Sequence, residues 1–368
     1  MPMLAPRPCY LRAAPMGPEP SSPLIQQLQE KADREWPHLA AARRWAVETR
    51  ERLHRLLRDQ DPSDTSIVVF GSLARGEYTP QSDLDWTLLI DGQADETHYA
   101  QVQEISRRLA AEQFHEPGPT GLFGNVAFSH PIIHQIGGQD DTNKNTTQRI
   151  LLLLESLAIG KDEAHERVLR LVLTRYVAED RGLLFGSRKL FIPHILLNDI
   201  VRYWRTITVD FVAKQRERTG GWALRTIKLR LSRKLIFVSG LLTCFGCALR
   251  GERPVDAEDH IVVPEMVRFL RDQIRRTPLE SLAEVLLRPA VQPATVRQLF
   301  DAYDDFIALL GDEDKRNHLK KLPADEIGRD PLFTEARKLG FRFQDGLDRL
   351  FFEEDDLLRM LIRKYGVF

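Results

Sequence analysis

Residues 66–90 read SIVVFGSLARGEYTPQSDLDWTLLI, and this stretch constrains the fold more than any other. SIVVF (66–70) and DWTLLI (85–90) are short apolar runs of strand composition. A Gly-Ser pair directly follows the first, and Asp83 and Asp85 open the second. Residues i and i+2 of a strand point to the same face, so the two aspartates set their carboxylates side by side. Such a pair repels itself unless a cation sits between the groups, and hard oxygen ligands suit Mg²⁺ or Mn²⁺. Gly71 and Ser72, at the end of the preceding strand, form a tight turn whose N–H groups and hydroxyl can hold a phosphate. Together these features describe a nucleoside triphosphate site. Either half alone has a plainer reading, as a loop Gly-Ser or as a turn and cap; the argument rests on their conjunction.

The rest of the chain bounds where such a site can sit. At 368 residues there is room for two domains or for one core with a large helical extension. Lys and Arg number 52 against 53 Asp and Glu, so no global field favours a polyanion and any anion site is local. Of three cysteines, Cys244 and Cys247 have C-x-x-C spacing inside LLTCFGCAL, with no second pair nearby, and read as buried structural thiols of a cytoplasmic protein. LIFVSGLLTCFGCAL (235–249) is too short for a membrane span and reads as a buried helix or helical hairpin.

The organisation expected is a disordered lead over 1–21, amphipathic helices over 22–60 broken at Pro37, an α/β unit over 61–146, and an all-helical body over 147–368. A third strand is expected within NVAFSHPIIHQI (125–136). Thr and Asn residues of GGQDDTNKNTTQ (137–148) can cap the helix that follows. The fold class is thus α+β, a small mixed sheet with flanking helices attached to a larger all-α domain.

The sequence VVFGSLARGEYTPQSDLDWTLLI resembles the nucleotidyltransferase superfamily related to DNA polymerase β: hydrophobic-Gly-Ser, two residues, Arg-Gly, then Asp-Leu-Asp. Its form is similar to the bacterial branch that includes the signal-protein uridylyltransferases. The resemblance implies that Gly71 and Ser72 grip the triphosphate, that Asp83 and Asp85 hold Mg²⁺ or Mn²⁺, and that a nucleoside monophosphate passes from a triphosphate, ATP first, to an acceptor hydroxyl. Arg75 belongs with the nucleotide-binding set and, with Glu77, is expected to brace the turn. Family members commonly carry a third carboxylate on a later strand, yet 125–136 contains no acid. Asp141 is taken as that acid, with Asp140 or Glu155 as alternatives and Ser129 and His130 as neutral substitutes. Asp140 and Asp141 equally suit a plain helix-capping role.

In the helical body, LLNDIVRYWRTITVDFVAK (196–214) places Asp199, Arg202 and Arg205 on one helical face. GWALRTIKLRLSRKLIF (221–237) sets Arg225 and Lys228 three apart, with Arg230, Arg233 and Lys234 close by. Related enzymes draw a triphosphate-binding cation from such a domain, a role that suits Lys228 or Arg225, with Arg205 a further candidate. A solvated, salt-bridged face is the plainer reading. An exposed Leu/Phe seam on the last helix would serve a partner protein or a second copy. No membrane is expected; nucleic acid enters only as an oligonucleotide acceptor or product. The acceptor is open between a nucleotide hydroxyl, as in enzymes making signal oligomers for bacterial defence or in toxin-antitoxin pairs, and a protein side chain. The reading from another class is a silent nucleotide-binding clamp.

Overall fold

The computed structural model describes residues 22–60, 64–118, 121–185, 190–216, 221–323 and 325–366, so the expected lead over 1–21 and Cys9 lie outside the described residues. In chain order the elements are α1 (Pro23–Ala32), α2 (Pro37–Leu57), β1 (Thr65–Phe70), α3 (Gly71–Arg75), β2 (Trp86–Ile90), α4 (Glu96–Ala111), β3 (Asn125–Phe128), α5 (Ser129–His134), α6 (Asn143–Leu154) and β4 (Ser156–Ile159). Then follow α7 (Glu163–Ala178), α8 (Arg181–Phe185), α9 (His194–Arg216), α10 (Trp222–Lys228), α11 (Lys234–Arg250), α12 (Val263–Ile274), α13 (Pro278–Leu286), α14 (Pro293–Gly311), α15 (Glu313–Lys321), α16 (Pro331–Asp348) and α17 (Asp356–Leu361).

The mixed sheet has the order β3-β2-β1-β4. β1 pairs antiparallel with both β2 and β4, while β3 lies parallel to β2. Alternation along β1 explains why it is apolar from Ile67 to Phe70. Ile67 and Val69 enter a small core with Ala46 and Leu53 of α2 and Ile105 of α4, whereas Val68 and Phe70 enter the large core of the helical body. With both faces covered, no polar side of the strand is needed. The α/β unit and the body therefore share a core. The first helices also join them: Trp36 Nε1 donates to Asp301 at 2.9 Å and the Leu39 N–H to Asp304 at 2.8 Å, both on α14.

Three expectations change. SLAI within RILLLLESLAI is a strand, so the sheet extends past residue 146; four more residues, three of them apolar, after a helix carry too little periodicity to distinguish the two. The run expected as one strand over 125–136 stops at Phe128 and turns helical at Ser129, with Pro131 in the first turn of α5. Helical structure is continuous from Trp222 to Arg250, long and apolar enough to cross a bilayer, but 78% of its apolar window is buried within the protein. It is one core helix rather than a hairpin. Cys244 and Cys247 lie free in its buried face, and burial pushes the Cys247 thiol up to about 12. The C-terminal seam also packs inward: Leu350, Phe351, Leu358 and Leu361 are buried, leaving Phe352 and Met360 outside.

Candidate active site

Strand register brings the Gly-Ser turn and the aspartates to one end of the sheet. The Phe70 N–H donates to the carbonyl of Asp85 at 2.9 Å, one step beyond the Val69–Trp86 pair. On the other side of β1, Phe70 pairs with Ser156, which sets Glu155 beside Gly71. Gly71 has φ +66°, and a Cβ there would stand 3.0 Å from Asp85 Oδ2. Glycine is required twice over, by the backbone and by the approaching carboxylate. Arg50 of α2 fixes the short helix behind the turn, donating to the carbonyls of Leu73 at 2.6 Å and Ala74 at 2.9 Å.

Beneath the turn, Arg75 is buried between Glu77, at 2.9 Å, and Glu155. Arg75 therefore braces the turn as expected, and its guanidinium is committed to carboxylates rather than open to a phosphate. Glu155 also accepts from Arg233 at 3.0 Å. Burial raises the pKa of Glu77, against the pull of Arg75.

Asp83 and Asp85 stand apart from this neutralised cluster. The Asp85 carboxylate makes no hydrogen bond or ion pair among the described residues, and the Asp83 carboxylate meets only Arg316, at 3.6 Å. Burial pushes the Asp85 carboxyl up to about 6; Arg233 and Lys228 oppose the shift, while Glu155 and Asp83 add to it. Facing the pair, the Lys228 ammonium has no partner within ion-pair distance among the described residues. Burial pulls it down to about 8, with Arg316 and Arg233 lowering it further against Asp83 and Asp85. The site thus holds one carboxylate, Asp85, and one ammonium, Lys228, with no ion-pair partner among the described residues, and a second carboxylate, Asp83, only loosely held.

Lys228 and Arg233 reach the same place because the helix changes pitch between them. Leu229–Arg233 is a π turn, whose i to i+5 bonding brings residues five apart towards alignment. Of the two cations expected from this segment, Lys228 is the one at the aspartates; Arg225 lies nearly one turn earlier on α10.

The remaining candidates lie elsewhere. Asp141 is fully buried and receives Arg149 Nη2 and Arg202 Nη1, each at 2.9 Å, while Arg149 also binds Asp199 at 2.7 Å and Tyr176 at 2.7 Å. Asp141 precedes α6 and Glu155 follows it, so a helix about 18 Å long separates them. The carboxylate at the aspartates' end is Glu155, not Asp141. Asp140 is exposed on the turn, and Thr142 caps α6 through the Asn145 N–H at 3.1 Å. Ser129 and His130 belong to α5. Arg205 is exposed and lines, with Asn143, Asn198 and Arg202, a separate open cleft of about 390 Å³ at the α6 N-terminus. Sequence reasoning missed Arg316 altogether: its segment, EDKRNHLKK, looks like any charged surface helix.

The sheet therefore carries the Gly-Ser turn and the D-x-D pair at one end. Residues 50–116, from α2 through α4, match the family model described as the nucleotidyltransferase domain, and this segment is such a domain of the polymerase β-like superfamily. The match leaves the helical body after residue 116 unassigned. Among curated proteins, none matches the chain.

Proposed function

We propose that the protein transfers a nucleoside monophosphate from a triphosphate, ATP first, to an acceptor hydroxyl, with Mg²⁺ or Mn²⁺ held by Asp83 and Asp85. One observation carries this reading: Asp85, whose carboxylate has no partner among the described residues, and Asp83, held only by a long 3.6 Å contact to Arg316, stand beside Lys228, whose ammonium is unpaired among the described residues, a charge pattern completed by a cation bound to a polyanion. Among the described residues no group of three His, Cys, Asp or Glu side chains could hold a metal ion on its own. That fits Mg²⁺, which is commonly held by one or two carboxylates plus substrate phosphates. The metal, when bound, supplies charge neutralisation at the phosphates and lowers the pKa of an attacking hydroxyl.

The chain's own residues do the rest. Gly71 leaves room for backbone and phosphate to approach, and Ser72 presents a hydroxyl at the turn. Lys228 meets the triphosphate as a point charge and stabilises negative charge gathering on the leaving pyrophosphate. Glu155, held by Arg75 and Arg233, keeps the turn and the cation helix in register, and is the carboxylate placed to serve as third acid if Arg233 turns to a phosphate. The 390 Å³ cleft lined by Arg205 is a place for part of an acceptor, and either a nucleotide or a protein acceptor is compatible with it. A role in defence or signalling in the cytoplasm belongs with the nucleotide acceptor.

The test incubates the protein with each labelled NTP and dNTP and Mg²⁺ or Mn²⁺, beside Asp83→Ala/Asp85→Ala. Pyrophosphate released by the wild type alone supports transfer, with an oligomer ladder or a labelled protein band naming the acceptor. Tight nucleotide binding with no product under any condition would favour the silent clamp.

A further inference from the structure

Arg316 is a poorly satisfied buried charge near the site. It lies on α15, more than eighty residues beyond Lys228 in sequence, with its side chain only 8% exposed. No hydrogen bond to its guanidinium occurs among the described residues, and its single ion pair, with Asp83, is long at 3.6 Å. Five N–H donors in a rigid fork are rarely buried with so little to hold. The start of α15 is moored to the loop that carries the aspartates. Gln81 donates to Glu313 at 3.4 Å, and a Cβ on Gly311 would touch Thr79 at 3.8 Å. α15 also packs on α10, the helix of Lys228. Arg316 thus sits where a shift of α15 would be felt by both the carboxylates and the cations.

We propose that Arg316 is a substrate-operated latch: without nucleotide it holds Asp83, and on binding it passes from Asp83 to an oxygen of the triphosphate, releasing that carboxylate to the metal. The inference rests on the nucleotidyltransferase reading above, and extends it by coupling metal loading to the presence of a triphosphate. A carboxylate accepts an arginine fork and so does a phosphate, but the phosphate carries more charge and more acceptor oxygens, so the exchange runs towards nucleotide. The free protein then holds Mg²⁺ weakly, which keeps the site inactive until substrate arrives.

Because ATP and metal chelate each other, each is titrated in the absence of the other: ATP with a chelator present, by calorimetry, and Mn²⁺ alone, by electron paramagnetic resonance. In Arg316→Gln, Mn²⁺ affinity rises several-fold while ATP affinity falls about tenfold, consistent with loss of a charge-assisted contact. In Asp83→Asn, metal-free ATP binds more tightly than in the wild type, because the latch has lost its resting partner. A purely structural arginine would move both affinities of Arg316→Gln downward together, and that result, or no change in either, overturns the latch. Thermal melting of both variants verifies that they fold; Arg316→Lys, keeping charge without the fork, retains ATP binding within a few-fold. A wild type that binds ATP beside an unchanged Arg316→Gln sinks the latch alone. A wild type that binds none of the ribonucleoside or deoxyribonucleoside triphosphates, with or without metal, sinks the latch and the nucleotidyltransferase reading together.

Discussion

Gly71 and Asp85 meet across the β1–β2 pair so closely that a methyl group on Gly71 would stand 3.0 Å from the Asp85 carboxylate. The contact ties the Gly-Ser turn to Asp85, so that a shift of one presses on the other. Gly71→Ala strains a backbone at φ +66°, costing about 1–2 kcal/mol, and also pushes Asp85 from its place. We expect a stability loss of that size in urea denaturation, with transfer activity reduced far beyond what the loss of folded protein explains. Full activity in Gly71→Ala would show that the closeness has no role.

Asp85 links pH to both metal binding and stability. Its carboxyl titrates at about 6 in the folded protein against an ordinary 3.8, so between these values the folded state binds more protons than the unfolded state. Stability of the metal-free protein therefore falls as pH rises from about 4 to 6, by an amount bounded at roughly 3 kcal/mol. Metal affinity runs the other way, weakening about tenfold for each pH unit below 6 as the ligand is protonated. Asp85→Asn should melt higher than the wild type at pH 7.5 without metal and bind no Mn²⁺. A variant that melts lower would mean that Asp85 has a structural partner in solution.

Lys228 sets the upper limb. With its ammonium pulled down to about 8, it is charged below that pH and neutral above it. Triphosphate affinity measured without metal should decline as pH rises past 8, and bound nucleotide should raise the pKa of the group it contacts. In Lys228→Met the affinity is lower throughout and flat between pH 7 and 9. A decline that survives in the variant would assign the titration to another group.

Much of this site is legible in the sequence, and the parts that are not share a cause. Gly71, Asp83 and Asp85 fall within fifteen residues, so strand periodicity and local turn chemistry are enough to assemble them. Lys228 stands in a basic cluster that the sequence marks as a candidate, with Arg225 an equal alternative that only the structure separates from it. Glu155 is obscured because β4 begins immediately after α6 inside one apolar run, and its place at the sheet end follows only from β4 pairing with β1. Arg233 is out of phase with Lys228 on a 3.6-residue helix, and the π turn between them leaves no mark in residue type. Arg316 is reached through packing of α15 on α10, a contact between distant segments. The α+β class was within reach for the opposite reason: each half of the chain states its own period. The shared core was not, since it depends on Val68 and Phe70 facing helices far along the chain.

Asp141 and Glu155 give the assignment of the third carboxylate a direct trial. Asp141 lies in a buried set with Arg149, Arg202, Asp199 and Tyr176, far from Asp83 and Asp85 along α6. Removing its charge leaves two arginines short of a partner, and breaking a buried pair costs about 3–5 kcal/mol. Asp141→Asn should therefore lower the urea midpoint while the folded fraction keeps its kcat and metal affinity. Glu155 is likewise buried between two arginines, so Glu155→Gln is also destabilising, but it stands beside Gly71 and electrostatically coupled to Asp85. Its loss removes one of the charges that raise the Asp85 pKa and frees Arg75 and Arg233. The pH at which Mn²⁺ binding fails should then shift downward in Glu155→Gln and stay fixed in Asp141→Asn. The opposite pattern would return the third acid to Asp141 and require α6 to lie otherwise than it does.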